Sequence, residues 1–218
     1  MIVTFIVVLI GWIFSLCLHE FAHALVAYYG GDYTVKDKGY LTFNPLKYTH
    51  PVYSLLMPML FLLMGGIGLP GGAVYIETWR LKDRYWNSAV SLAGPAANLL
   101  LAILLALLFQ FAPVSQGGMW PGLAFLGRLQ IIAVMLNLIP IPPLDGYRAL
   151  APFLPSNIRE KADQFSGAGM FILVILMWYV PFISFLFWGT TDLIAQLIGI
   201  PLQLADLGLS QFMFWRRF

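Results

Sequence analysis

The sequence has few charged residues for its length. Only 10% of its 218 residues are charged and 60% are hydrophobic, whereas soluble domains carry about 25% charged residues. A soluble fold of this size leaves roughly a third of its unfolded surface exposed, so much of this apolar surface would face water. The composition therefore excludes an ordinary soluble protein and indicates an integral membrane protein.

The sequence also has little cysteine and a small net charge. Cys17 is the single cysteine, which excludes an internal disulfide framework and a CxxC metal site. The net charge of +2 comes from scattered basic residues and indicates no nucleic-acid partner. Residues 1–18 carry no basic segment before their apolar run, so we expect a retained membrane helix rather than a cleaved signal peptide.

Long apolar runs predict an all-α membrane protein with about four to six transmembrane helices. A spanning helix needs about 20 mostly apolar residues, and runs of this kind occupy residues 1–29, 86–111, 121–138 and 168–188. Residues 189–214 are apolar but contain Gly189, Gly199 and Pro201, which leaves their disposition open. No long linker interrupts the chain, and we expect a single membrane-embedded domain over residues 1–218.

Residues 51–69 form a further apolar stretch that prolines and glycines interrupt. Irregular backbone is tolerated in a membrane where protein or water covers it, so we expect this stretch to be re-entrant. A full crossing remains the alternative, but it would place two basic loops on opposite faces. With a re-entrant stretch, one face, expected to be cytoplasmic, receives Lys36, Lys38, Lys47, Arg80, Lys82, Arg84, Arg148, Arg159 and Lys161.

The segment His-Glu-Phe-Ala-His at residues 19–23 matches the H-E-x-x-H pattern. Side chains four positions apart share one helix face, so His19 and His23 can bind one metal ion. Glu20 lies beside the first ligand and can accept a proton from water, whose pKa zinc lowers from about 15.7 to about 7. Two solvated histidines are the alternative, but ionisable residues in a membrane helix are usually functional.

A catalytic zinc usually has three protein ligands, and the candidates for the third are His50, Glu77, Asp145 and Cys17. Cys17 lies about 200° around the helix from His19, and we expect it to pack in the core. Asp145 is the strongest candidate, because prolines end the preceding helix and Gly146 permits a turn. A helix N-cap is the alternative role for Asp145.

These residues resemble the site-2 protease family of intramembrane zinc metalloproteases. The resemblance rests on His-Glu-Phe-Ala-His in the first run and on Asn-Leu-Ile-Pro-Ile-Pro-Pro-Leu-Asp-Gly after a later one. Residues 39–45 and 91–99 are similar to two further family blocks. The resemblance implies a catalytic core within about residues 1–150, one Zn²⁺ held by His19, His23 and Asp145, and Glu20 as the general base.

The resemblance also implies roles for two asparagines. Asn137 matches the family's motif asparagine, which helps to hold the substrate or its oxyanion, and Asn98 is assigned to the same neighbourhood. Either amide can instead form a hydrogen bond between helices. The expected partners are a transmembrane protein substrate and the lipid bilayer. The expected location is the plasma membrane of a prokaryote, with the active site toward the cytoplasm; the oligomeric state is not indicated.

Some features depart from the family pattern. Members often carry a PDZ or CBS domain, and we expect neither in this chain. His50 stands where many members have an aspartate, and we expect a loop or interface role for it. Arg128 lies inside an apolar run, where we expect it to pair across helices or line a polar cavity. Residues 30–43 alternate enough to predict a short β-hairpin whose edge can pair with an unwound substrate.

The sequence therefore predicts a zinc metalloendopeptidase that hydrolyses peptide bonds within or near transmembrane segments. A proteolytically inactive relative that binds membrane helices as a chaperone or regulator is the alternative. The intact set of His19, Glu20, His23 and Asp145 argues against it. A transporter or channel with a metal site at mid-membrane is a third class, and the absence of an inverted repeat argues against that class.

Overall fold

The computed structural model describes residues 1–48, 59–60, 62–63, 74–112 and 114–217. Over these ranges the chain is helical and contains no β-strand. The α-helices are α1 (Ile2–Gly30), α2 (Thr34–Asp37), α3 (Arg84–Phe111), α4 (Trp120–Asn137), α5 (Asp145–Leu150), α6 (Ser156–Gln164), α7 (Ser166–Tyr179), α8 (Pro181–Ile198) and α9 (Leu202–Phe212).

Four of these helices, α1, α3, α4 and α8, are long and apolar enough to cross a membrane. Their lengths of 29, 28, 18 and 18 residues agree with the roughly 20 residues that a bilayer requires. The first three coincide with predicted runs. The prediction of a multi-pass, all-α membrane protein is therefore confirmed.

The C-terminal region departs from the predicted spans. We expected one span over residues 168–188, but α7 ends at Tyr179 and α8 begins at Pro181. Proline has no backbone N–H and favours the first position of a helix, so the break falls directly before it. Gly189 lies inside α8 without interrupting it, whereas Gly199 ends α8 with φ of 98°.

The structure does not confirm the β-hairpin predicted over residues 30–43. This segment contains α2 and turns instead. The side chain of Asp32 accepts hydrogen bonds from the backbone N–H and the hydroxyl of Thr34, and such local bonds start a turn in place of a strand ladder. The re-entrant stretch expected at residues 51–69 lies almost entirely outside the described residues.

The centre of the bundle is α4, which packs against α1, α3, α8 and α9. Trp12 of α1 and Phe125 and Leu129 of α4 are among its fully buried side chains. Close approach of α9 to α4 depends on Gly208, where a Cβ would collide with the carbonyl oxygen of Pro121. Small residues at such contacts let membrane helices pack backbone to backbone.

Arg128 joins three helices. Its guanidinium nitrogens lie 2.7 Å from Asp192 Oδ1 on α8 and 2.7 Å from Asp206 Oδ1 on α9. The side chain of Arg128 is only 15% exposed, and an unpaired cation there would be costly. The expectation that Arg128 pairs across helices is confirmed.

Candidate metal centre

The two histidines of the H-E-x-x-H pattern lie side by side on α1. Each is 6% exposed, and their Nε2 atoms are 3.0 Å apart. Four residues advance a helix by slightly more than one turn, so both rings project from one face. The spacing therefore brings two nitrogen ligands to one point, as predicted.

Asp145 reaches this point from a segment more than 100 residues further along the sequence. The helix α4 ends at Asn137, and residues 138–144 turn the chain back so that Asp145 is the first residue of α5. The N-cap position belongs to Leu144 and makes no side-chain cap, so the alternative role as an N-cap is not adopted. A Cβ on Gly146 would collide with the carbonyl oxygen of Leu138, which explains a glycine at this turn.

The three side chains fit a tetrahedral metal. Asp145 Oδ2 lies 3.2 Å from His19 Nε2 and 3.4 Å from His23 Nε2. Zinc bonds of about 2.0–2.2 Å at tetrahedral angles separate ligand atoms by about 3.3 Å. Asp145 Oδ2 is buried and receives no well-aligned hydrogen bond from the described residues. Two imidazole nitrogens and a carboxylate oxygen are also a donor set that zinc prefers.

Acceptors behind the histidines orient their rings. His23 Nδ1 lies 2.6 Å from the carbonyl oxygen of Val90, and His19 Nδ1 lies 3.3 Å from Asn98 Oδ1. When Nδ1–H donates to these acceptors, the lone pair of each Nε2 faces the centre. Asn98 thus lies beside the metal ligands, in the region of the active site where the sequence placed it. The Val90 carbonyl was not predicted, because a backbone atom leaves no signal in the sequence.

Gly94 of α3 closes one side of the centre. A Cβ at this position would fall less than 3.0 Å from Nε2 of both histidines. Only a residue without a side chain leaves room for a metal between the imidazoles and α3. This explains the glycine of the predicted family block at residues 91–99.

We predict that Gly94→Ala lowers zinc affinity, because its methyl group occupies the space beside both ligand nitrogens. Displaced outer-shell groups cost about 10–100-fold in affinity, and a change of at least that size is expected. Zinc content after dialysis against a graded chelator series measures it. Gly189→Ala on α8 is the matched control, since a Cβ there meets nothing within 4 Å. Equal zinc retention by both variants would contradict the prediction.

Glu20 lies next to the metal cluster and is 3% exposed. Its Oε2 accepts a hydrogen bond of 3.0 Å from the backbone N–H of Val74. No other described residue donates a hydrogen bond to this carboxylate. Among the described residues, one oxygen of Glu20 is therefore held by a hydrogen bond and the other is not.

The remaining candidates lie elsewhere. Asn137 is 4% exposed at the end of α4, where the chain turns toward Asp145. Cys17 is buried in a hydrophobic cluster, as expected for a core residue. Glu77 accepts hydrogen bonds from Lys38 and Arg80, which lower the pKa of its carboxyl group to about 2. It does not belong to the group of ligand atoms formed by His19, His23 and Asp145 among the described residues. His50 lies outside the described residues.

Several known proteins are similar to this chain, although no family model and no solved structure matches it. The "Putative zinc metalloprotease Rip2" of Mycolicibacterium smegmatis is 46% identical over 212 residues, which cover 97% of this chain and 81% of the relative. Rip2 of Mycobacterium tuberculosis H37Rv is 45% identical over 214 residues, with the same coverage.

A more distant relative is the "Putative zinc metalloprotease YwhC" of Bacillus subtilis. It is 34% identical over 184 residues, which cover 81% of each chain. The similarity to YwhC therefore covers most of this chain. The chain belongs to the site-2 protease-like family of zinc metalloproteases.

Proposed function

We propose that this zinc metalloprotease cleaves peptide bonds within or near the transmembrane segments of membrane proteins. The depth of the metal ligands carries the proposal. His19 and His23 belong to an apolar helix of membrane-spanning length that ends at Gly30. At 1.5 Å per residue, they lie about 17 and 11 Å from that helix end. These positions support a substrate bond that enters the bilayer to reach the metal.

In this proposal His19, His23 and Asp145 hold the zinc ion and Glu20 is the general base. Zinc, when bound, polarises the scissile carbonyl and makes water acidic enough to react at neutral pH. The free oxygen of Glu20 accepts the proton of water as the water oxygen bonds to the carbonyl carbon. Glu20 then delivers that proton to the departing amide nitrogen as the C–N bond breaks.

The two asparagines have different surroundings, which supports different roles. Asn98 Oδ1 faces His19 Nδ1, so we propose that it orients this ligand. Asn137 makes no side-chain hydrogen bond to another described residue, and its amide N–H groups remain free to hold the substrate carbonyl. Donors aimed at the developing oxyanion contribute strongly to acyl-transfer catalysis.

We also propose that the protein lies in a prokaryotic plasma membrane with its active site toward the cytoplasm. The positions of the basic residues support this orientation. The backbone N–H of Lys82 donates to the carbonyl of Gly30 at 2.9 Å, and the Arg84 guanidinium lies 5.2 Å from the ring centre of Phe153. The end of α1, the start of α3 and the segment after α5 therefore share one end of the bundle. By the positive-inside rule, we propose that this end of the bundle faces the cytoplasm.

A position-swapped substrate tests the proposal. One ten-residue sequence is placed at mid-membrane in a single-span peptide, and in a second peptide it is placed outside the span. Both peptides are reconstituted with the zinc-loaded enzyme in lipid vesicles. Mass spectrometry is expected to find cleavage within the membrane-embedded copy. Cleavage confined to the extramembrane copy would contradict intramembrane proteolysis, and no cleavage of either peptide would favour the inactive-relative alternative.

A further inference from the structure

Residues 74–77, here called the bridging segment, connect Glu20 to the loop after α1 through hydrogen bonds. The first backbone N–H of this segment, that of Val74, donates to Glu20 Oε2 at 3.0 Å. Its last, that of Glu77, donates to Asp32 Oδ2 at 2.8 Å. The segment is therefore held at both ends by carboxylates, of which one is the proposed general base.

Asp32 is a rigid anchor for the bridging segment. It is fully buried, and besides the Glu77 N–H it accepts bonds from the Thr34 N–H at 3.1 Å and the Thr34 hydroxyl at 2.6 Å. A buried carboxylate is stable only when its oxygens are satisfied in this way. Its position is therefore fixed by α2 as well as by the bridging segment.

The side chain of Glu77 provides a second anchor. Its carboxylate oxygens lie 2.9 Å from Lys38 Nζ and 2.6 Å from Arg80 Nε. Lys38 Nζ also donates to the carbonyl oxygen of Tyr75 within the bridging segment at 3.3 Å. Charge-assisted bonds of this length are among the stronger polar contacts in proteins. Lys38, which follows α2, thus contacts both a backbone carbonyl and a side chain of the bridging segment.

We infer that Asp32 and Glu77 are positioning residues for Glu20. They hold the bridging segment so that the Val74 N–H fixes one oxygen of Glu20 and leaves the other for the proton. The inference rests on the proposed role of Glu20. Because misplacement of a reacting group by about 1 Å can cost 100-fold in rate, loosening either anchor slows catalysis without removing the metal ligands.

A proline substitution tests the contact directly. Val74→Pro removes the N–H that Glu20 accepts, whereas Val74→Ala keeps this donor and removes side-chain volume. We expect kcat on the membrane-embedded peptide to fall about 10–100-fold in Val74→Pro, with KM and zinc content unchanged. Val74→Ala, which keeps the N–H, should lower kcat less than Val74→Pro does. Wild-type kcat in a folded Val74→Pro protein would overturn the inference.

Substitutions of the two anchors, Asp32 and Glu77, give an independent test that remains available if Val74→Pro does not fold. Asp32→Asn and Glu77→Ala should each lower kcat with KM and zinc content unchanged. Because both act through one segment, the double variant should be no slower than the slower single variant. Glu160→Ala removes an exposed carboxylate of α6 and serves as the control.

The outcomes separate this inference from the proposed function. Loss of zinc in parallel with loss of kcat would overturn the inference, because the anchors would then support the metal site as a whole. If Glu20→Gln is inactive while both anchor variants keep wild-type kcat, the inference fails and the proposed base remains. If Glu20→Gln is as active as the wild type, the proposed mechanism itself fails.

Discussion

Glu20→Gln is expected to slow proteolysis by at least about 100-fold while zinc remains bound. Glutamine has nearly the same shape, and its amide oxygen can still accept the Val74 N–H bond that the carboxylate accepts at 3.0 Å. It cannot take a proton from water at neutral pH, and loss of a general base costs about 100-fold to 10,000-fold in rate. Turnover of the membrane-embedded peptide and zinc per chain, measured on the same preparation, give the result.

Glu160→Gln is the matched control for this substitution. It makes the same chemical change on the exposed face of α6, and we expect wild-type turnover. Equal cleavage by the Glu20→Gln and wild-type proteins would exclude the carboxylate as the base. Loss of zinc from Glu20→Gln would instead assign Glu20 to the metal rather than to proton transfer.

Asp145→Ala is expected to remove zinc and, with it, all proteolysis. The substitution deletes the one carboxylate of the cluster, whose Oδ2 lies 3.2 and 3.4 Å from the two imidazole nitrogens. Two histidines alone leave a zinc site one protein ligand short. Loss of affinity should exceed the roughly 10–100-fold that outer-shell partners contribute. Chelator competition measures the change.

Asp37→Ala provides the comparison for Asp145→Ala, because Asp37 is an exposed aspartate at the end of α2. It should keep one zinc per chain and wild-type turnover. Full zinc occupancy in Asp145→Ala would show that a different residue completes the site. Circular dichroism on both variants confirms that the helices have formed, so that zinc loss is not a consequence of unfolding.

The parts of the fold that could be predicted are those for which the bilayer sets the length and composition of a single helix. A span requires about 20 apolar residues, so α1, α3 and α4 could be located from composition alone. The pair His19 and His23 followed from helical periodicity. Asp145 could be nominated because prolines end the helix before it, but its distance from the histidines depends on how α5 packs.

The parts that were missed depend on backbone atoms or on competing local bonds. The Val90 carbonyl and the Val74 N–H contact the site, yet any residue type supplies such groups. The hairpin prediction overlooked the turn that Asp32 and Thr34 form between side chain and backbone. The single span predicted over residues 168–188 overlooked Pro181, whose missing N–H favours a helix start.

The ligands of the metal centre come from segments more than 100 residues apart in the sequence. A newly synthesised α1 carries two histidines, but its carboxylate ligand is absent until α5 has been synthesised and has packed against α3. Because metal binding and chain assembly are coupled in such sites, the order of synthesis delays activation. We therefore expect a nascent chain to gain zinc and activity only after Asp145 has reached the two histidines.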